Sequence, residues 1–132
     1  MKVSTVMTRV VEFVPSDGTL REAATAMAEH DIGAVLVGSP ERLEGILTDR
    51  DIILRAVTQG LDPGATRTEQ VMSRTVFTCG PDDSVEQVLA AMAERQVRRL
   101  PVVEEGVVVG IVVRSDLERC VEPAKDDGGP RH

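Results

Sequence analysis

One offset organises this sequence. Val6-Met7-Thr8-Arg9 recurs as Val71-Met72-Ser73-Arg74, Ala26-Met27-Ala28-Glu29 as Ala91-Met92-Ala93-Glu94, and Gly45-Ile46 as Gly110-Ile111. Asp51 recurs as Asp116, and every pair is 65 positions apart. Residues 6–56 therefore align with 71–121 without a gap, which makes the chain a tandem duplication. A copy of roughly fifty residues is too small to bury much surface alone, so the two, packed sheet-to-sheet, are expected to share one core. Residues 57–70 form the linker, where Gly60-Leu61-Asp62-Pro63-Gly64 stops a helix and turns the chain. Residues 122–132, with Pro123, Asp126, Asp127, Gly128, Gly129 and Pro130, read as a disordered tail.

Both copies read alike. Val10–Val14 and Thr75–Thr78 are short β-rich runs. Thr19-Leu20-Arg21-Glu22 and Ser84-Val85-Glu86-Gln87 each fit a capping box, in which a hydroxyl and a Glu or Gln satisfy a helix's first free amides. The helices that follow carry Leu20, Ala23, Ala24, Met27 and Val85, Val88, Leu89, Met92 at i, i+3, i+4, i+7 spacing, a stripe that suits core packing. Strands are predicted at Ile32–Val37 and Val97–Val103, then turns at Gly38–Glu41 and Glu104–Gly106, then strands at Leu43–Leu47 and Val107–Val113. A last helix runs from Thr48 to Ala56 and from Arg114 to Val121. The fold class is α+β: two β-α-β-β-α repeats, packed as a pseudo-two-fold pair.

Composition narrows the function. With 15 Lys and Arg against 22 Asp and Glu, the net charge is −7, which disfavours nucleic acid and anionic membranes. No Trp or Tyr and only two Phe leave no stacking platform for single-stranded bases. No apolar run approaches the roughly 20 residues that span a bilayer, and the N-terminus lacks a signal-peptide stretch, so a cytoplasmic location is expected. Two cysteines and two histidines argue against a structural zinc site. Cys79 and Cys120 align with Val14 and Arg55, outside the repeat pattern, and read as free, buried or half-buried thiols, with intermolecular oxidation as the alternative. His30 reads as a helix-end surface residue. Asp49 and Asp51 splay around a helix and make no acid–base pair. Nothing here points to an enzyme.

The duplication, with Gly45-Ile46-Leu47-Thr48-Asp49-Arg50-Asp51-Ile52, Val97-Arg98-Arg99-Leu100-Pro101-Val102-Val103 and Gly110-Ile111-Val112-Val113-Arg114-Ser115-Asp116-Leu117, resembles the cystathionine β-synthase (CBS) domain family. The chain looks like the small stand-alone bacterial two-copy proteins, and Glu29-His30-Asp31-Ile32-Gly33-Ala34, Thr48-Asp49-Arg50-Asp51 and Gly60-Leu61-Asp62-Pro63 are particularly similar to the actinobacterial hypoxia-response type. The resemblance implies a paired module that dimerises into a disc and binds adenine nucleotides or adenosyl compounds in clefts between copies. It implies a binding set of Val11, Ile32, Gly33, Ala34, Val35, Ile46, Thr48, Asp49, Arg50 and Asp51 in the first copy. In the second copy the set is Arg98, Arg99, Pro101, Arg114, Ser115 and Asp116.

The residues give this set a physical basis. Thr48 opens a helix whose free amides and positive dipole end attract phosphate. The Asp51 carboxylate can accept from both ribose hydroxyls. The same two residues equally fit simple helix capping. Gly33 and Ala34 let an adenine approach the backbone, between Val11, Ile32, Val35 and Ile46. In the second copy Val113 replaces Thr48, which weakens that site, and Ser115 could cap the helix instead. Arg98 and Arg99 occur only there and could neutralise a phosphate or pair with carboxylates. The leading expectation is a non-catalytic adenine-nucleotide sensor with no required cofactor. Its candidate ligands are AMP, ADP, ATP, NAD or S-adenosylmethionine. The alternative is a ligand-free dimeric interaction or stress-response protein. A homodimer is expected, with Leu20, Met27, Val85, Met92, Ile53, Ala56 and Leu117 shared between core and interface. The regulated partner is not named by the sequence.

Overall fold

The computed structural model of the chain describes residues 1–128, with side chains through Val121. The first copy holds β1 (Phe13–Val14), α1 (Leu20–His30), β2 (Ala34–Ser39), β3 (Arg42–Thr48) and α2 (Asp49–Ile52). α2 continues as a single wider π turn over Ile53–Val57. The second copy holds α3 (Val85–Arg95), β4 (Arg99–Glu104), β5 (Val107–Val113) and α4 (Arg114–Gly128). Short 3-10 turns at Val3–Thr5 and Thr68–Gln70 precede the copies. The architecture is α+β with two repeats.

Both capping boxes form. The Glu22 amide donates to Thr19 Oγ1 at 3.1 Å and the Thr19 amide to Glu22 Oε1 at 2.8 Å. Ser84 and Gln87 repeat this at 3.1 and 3.2 Å. The strands after these helices start two residues later than their sequence suggests, at Ala34 and Arg99. The cause is local: the amides of Ile32 and Val97 donate back to Met27 and Met92 and finish the helices. The antiparallel hairpins then close through two-residue turns, Pro40-Glu41 and Glu105-Gly106, tighter than the sequence suggests. Glu105 and Gly106 both take positive φ, 52° and 82°, as a mirror-image hairpin turn requires.

One predicted strand is missing. β1 pairs in parallel with β2, Phe13 with Leu36 and Val14 with Val37. In the second copy only Cys79 bridges Val102, and Thr75–Thr78 is not a strand. The Leu36 amide donates to Glu12 at 3.0 Å, and the residue at the equivalent place is Pro101. Proline has no amide to give, so the ladder shrinks to one bridge. At the far end α4 reaches Gly128, past the Val121 expected from the sequence, although Pro123 removes one amide donor. Of the tail expected to be disordered, residues 129–132 lie outside the described residues.

The single shared core expected from the sequence is not what forms: the described residues make two separate buried clusters, and the compact units that hold them are not the sequence copies. One unit is Val11–Val76; the other joins Met1–Val10 to the chain from Phe77 onward. Each lead-in therefore belongs to the other copy's core. In the first unit, Val71 and Met72 pack with Leu20, Ala23, Met27, Val35, Val37, Leu47 and Ala56. Ser73 and Ile46 exchange backbone bonds of 2.9 and 3.0 Å. In the second unit, Val3 packs with Val85, Val88, Met92, Leu100, Val102, Val112 and Leu117. There Thr8 and Ile111 exchange bonds of 2.8 and 2.9 Å. Burial also corrects the expected interface. Leu20, Met27, Val85, Met92, Ala56 and Leu117 are all buried in their own units, which leaves only Ile53 of that set exposed.

Candidate functional site

The first-copy candidates gather at the open end of the β2–β3 hairpin. Ala34 is paired with Thr48, and the Asp49 amide donates to Gly33 O at 2.9 Å, so Gly33, Ala34 and the start of α2 are held together. Thr48 is the N-cap of α2: its Oγ1 accepts from the Asp51 amide and Asp51 Oδ2 accepts from the Thr48 amide, both at 3.0 Å. The Arg50 amide donates to Asp49 Oδ1 at 2.7 Å. All three leading amides of α2 thus have protein partners, and the free-amide phosphate cradle expected at Thr48 does not exist here. The capping role is real, and it leaves two groups available. The Thr48 hydroxyl accepts a bond but keeps its proton to donate, and among the described residues the one basic group within 4.0 Å of Asp51 Oδ1 is Arg55 Nε, at 4.0 Å.

The aliphatic wall needs one correction. Side chains alternate across a strand. Val35, Val37 and Leu47 therefore point into the unit's core, and Val35 does not line a ligand site. The opposite face carries Ala34, Leu36, Ile46 and Thr48; of these, Ile46 and Thr48 stay partly exposed. Ile32 is exposed and Val11 half-buried. Arg50 and Asp49 project at the surface.

The second copy reproduces the frame with different chemistry. The Arg114 amide donates to Arg98 O at 2.8 Å, matching Asp49 and Gly33. Val113 offers no oxygen, and Ser115 does not cap α4 among the described residues: it lies inside the first turn, past the N-cap position. No side chain among the described residues accepts from the amides of Ser115 or Asp116. Asp116 pairs with Arg119, and Arg114 with Glu118 at 2.9 Å. Arg98 is exposed, and neither it nor Arg99 lies within 4.0 Å of a carboxylate among the described residues, so the salt-bridge alternative finds no support. Arg99 shares a strand face with Pro101, which is buried. The two copies thus differ in kind: a carboxylate-bearing junction in the first, an arginine-bearing one with open amides in the second.

Two residues escaped the sequence reading. Arg55, four positions after Asp51, donates from Nη1 to Val71 O and Met72 O at 3.2 and 3.3 Å. Its signal was its own i,i+4 spacing from Asp51. Phe77 takes the Arg95 guanidinium over its ring at 4.3 Å, where the first copy pairs Glu12 with His30 at 3.3 Å. The positions are equivalent, so each copy ties its helix end to the segment before its first strand, once by a histidine–carboxylate contact and once by a cation–π contact.

Cys79 is buried, and burial, with Asp83 adding to it, pushes its thiol from 9.0 up to about 11. The folded value lies above the unfolded one, so as pH rises the unfolded chain ionises first. Stability from this group is full below pH 9 and is lost between 9 and about 11. Denaturant midpoints are expected to fall across that window in the wild type, and less in Cys79→Val, which copies Val14. At pH 8 a disulfide reagent should label half-buried Cys120 before Cys79. Reversed labelling order would refute this assignment. Among the described residues, no group of three or more His, Cys, Asp or Glu is placed to hold a metal ion, and no helix is long and apolar enough to cross a membrane.

A β-α-β-β-α unit followed by a copy that keeps its α-β-β-α part defines a CBS-type domain pair. The CBS domain family model matches residues 3–57 and 69–122, and the chain belongs to the CBS domain family. It is 43% identical to the CBS domain-containing protein YhcV of Bacillus subtilis over 115 residues, 87% of this chain and 81% of that one. It is 39% identical to Hypoxic response protein 1 of Mycobacterium tuberculosis, over 86% of this chain and 80% of that one. A crystal structure of Hypoxic Response Protein I with two coordinated zinc ions superposes with TM-score 0.79 at 37% identity, over 92% and 99% of the two chains. The CBS domain pair of protein MJ0100, solved with 5′-methylthioadenosine and S-adenosyl-L-methionine, gives TM-score 0.83 at 27% identity, over 94% and 98%.

Proposed function

We propose that this chain is a non-catalytic regulatory module that binds an adenine nucleotide or a related adenosyl compound. AMP, ADP, ATP, NAD and S-adenosylmethionine are the candidates, and the chain acts as a cytoplasmic homodimer on a protein partner. The observation that carries the reading is Asp51 Oδ1, a part-buried carboxylate oxygen left over from capping beside the Thr48 hydroxyl and the Gly33 backbone. A ribose diol needs such an acceptor. The adenosyl ligands of the MJ0100 pair support the class of compound. Arg98 and Arg99, with no carboxylate within 4.0 Å among the described residues, suit a phosphate at the second copy's junction.

Isothermal titration with AMP, ATP and 5′-methylthioadenosine tests this. Asp51→Ala should weaken all three by about ten- to a hundredfold, the value of a charge-assisted bond. Arg98→Ala with Arg99→Ala should remove any second, phosphate-dependent binding event of AMP and ATP at the second copy's own junction, an event that methylthioadenosine, with no phosphate, lacks. A second reading, a ligand-free dimeric interaction protein, is favoured by exposed Ile53, Leu54, Val57 and Leu61. Glu118 and Arg119 stand where the second copy repeats Ile53 and Leu54, so the fold does not require apolar residues there. No heat with any compound, together with a dimer that Ile53→Glu dissociates, would put this second reading ahead.

A further inference from the structure

Arg55 joins the candidate site to the segment Val71–Ser73. Its Nε lies 4.0 Å from Asp51 Oδ1, while Nη1 donates to the carbonyls of Val71 and Met72 at 3.2 and 3.3 Å. The next residue, Ser73, exchanges both backbone bonds with Ile46, on the same strand as Thr48. The segment therefore meets the site at two points, once through Arg55 and once through β3. From Ser73 the chain runs through Arg74, Thr75 and Val76 into the other compact unit.

The duplication supplies an internal control. In the second copy Cys120 stands at the position of Arg55, and Asp116 pairs with Arg119 instead. There Met7 and Thr8 lie on β5 with backbone bonds from Thr8 to Ile111, and among the described residues no arginine donates to their carbonyls. Holding a lead-in segment onto its strand thus does not require this arginine.

We propose that Arg55 is a positioning residue that couples occupancy of Asp51 to the hold on Val71–Ser73; the inference rests on the reading of Asp51 as the ribose acceptor. Asp51 Oδ2 is fixed by the Thr48 amide, so a ligand hydroxyl donates to Oδ1, the oxygen that faces Arg55. The ligand takes a share of the carboxylate's charge, and the guanidinium commits its donors to the two carbonyls. Ligand binding and the ordering of the segment then strengthen one another reciprocally.

Hydrogen exchange of the Ser73 amide, measured against the Leu36 amide as an internal reference, reads this directly. In the wild type, saturating AMP is expected to slow Ser73 exchange at least threefold relative to Leu36. Arg55→Ala should abolish that relative slowing while AMP still binds within about tenfold of wild-type affinity. Arg55→Lys, which keeps the charge and reaches one carbonyl, should restore part of it. An Arg55→Ala protein that binds AMP and slows Ser73 as the wild type does would overturn the coupling alone. A wild type that binds neither AMP nor 5′-methylthioadenosine would overturn the coupling together with the reading of Asp51.

Discussion

Gly45→Ala and Gly110→Ala are each expected to lower the melting temperature by about 10 °C, a loss of about 3 kcal/mol. A Cβ at Gly45 would sit 2.7 Å from Met72 Sδ and 2.7 Å from Ser73 O; at Gly110 it would meet Met7 Sδ at 2.7 Å and Thr8 O at 2.9 Å. The sulfurs can swing away, but the carbonyls belong to the backbone pairs Ser73–Ile46 and Thr8–Ile111. Relieving the clash therefore pushes a lead-in off its strand and strains or loses two hydrogen bonds, each worth about 1 kcal/mol. Gly64→Ala is the matched control. Its Cβ would meet only Asp62 Oδ1 at 3.6 Å, and its φ lies outside the left-handed region, so it should shift melting by less than 2 °C, within the roughly 0.5 kcal/mol of an ordinary surface change. Helical circular dichroism is the readout, because the chain has no Trp or Tyr. Wild-type melting in Gly45→Ala would show that the lead-in does not pack closely on β3.

Much of this fold was legible because the two copies tell the same story in different residues. Thr19 with Glu22 and Ser84 with Gln87 are chemically equivalent and form the same caps. What periodicity could not reveal was the exchange of lead-ins. Val6–Arg9 and Val71–Arg74 resemble each other as sequence, yet resemblance says nothing about which copy each one packs against. The missing strand at Thr75–Thr78 was readable in principle. It turns on Pro101, one residue on the partner strand, whose lack of an amide propensity rules applied to Thr75–Thr78 never consult.

The site was legible in its residues and less so in its geometry. Thr48 and Asp51 are three apart at the start of a helix, and the structure uses that spacing for a capping box. Whether the α2 amides stay free depended on Gly33 O and Asp49 Oδ1, and one of these acceptors is sixteen residues away in the chain. Val35 looked like a wall residue because it adjoins Gly33 and Ala34. Strand alternation, applied from Thr48 backwards through the hairpin pairing, sends it to the other face. The second copy, weakened in sequence by Val113, turns out to hold the two arginines and the helix amides that have no side-chain partner among the described residues.

Val3→Asp is expected to be the most damaging single change at the chain's beginning, costing upwards of about 4 kcal/mol. Val3 lies outside the repeat 6–56, three residues before its start, and nothing in its neighbours Lys2 and Ser4 signals a core position. In the fold it is completely buried among Val85, Met92 and Leu117. Its amide donates to Asp83 O at 2.9 Å, Ser4 donates to Pro81 O at 3.1 Å, and the Val85 amide donates to Met1 O at 2.9 Å. The segment is thus bonded along its length to the start of α3, and a carboxylate at Val3 would have no donor in reach of that aliphatic cluster. The equivalent residue of the other unit is Thr68, equally buried, whose hydroxyl reaches Thr19 O at 3.4 Å. Val3→Thr should therefore cost less, about 1–2 kcal/mol, because one hydroxyl is cheaper to bury than a charge. Lys2→Ala removes only an exposed ion pair to Asp82 and should cost under about 1 kcal/mol. Urea denaturation followed by hydrogen exchange in α3 and α4 separates these cases. Val3→Asp should lose protection throughout those helices while α1 keeps its own, since Val3 contributes to one core and not to the other. A wild-type midpoint for Val3→Asp would mean that residues 71–121 hold together without the lead-in, and that the compact units follow the sequence copies after all.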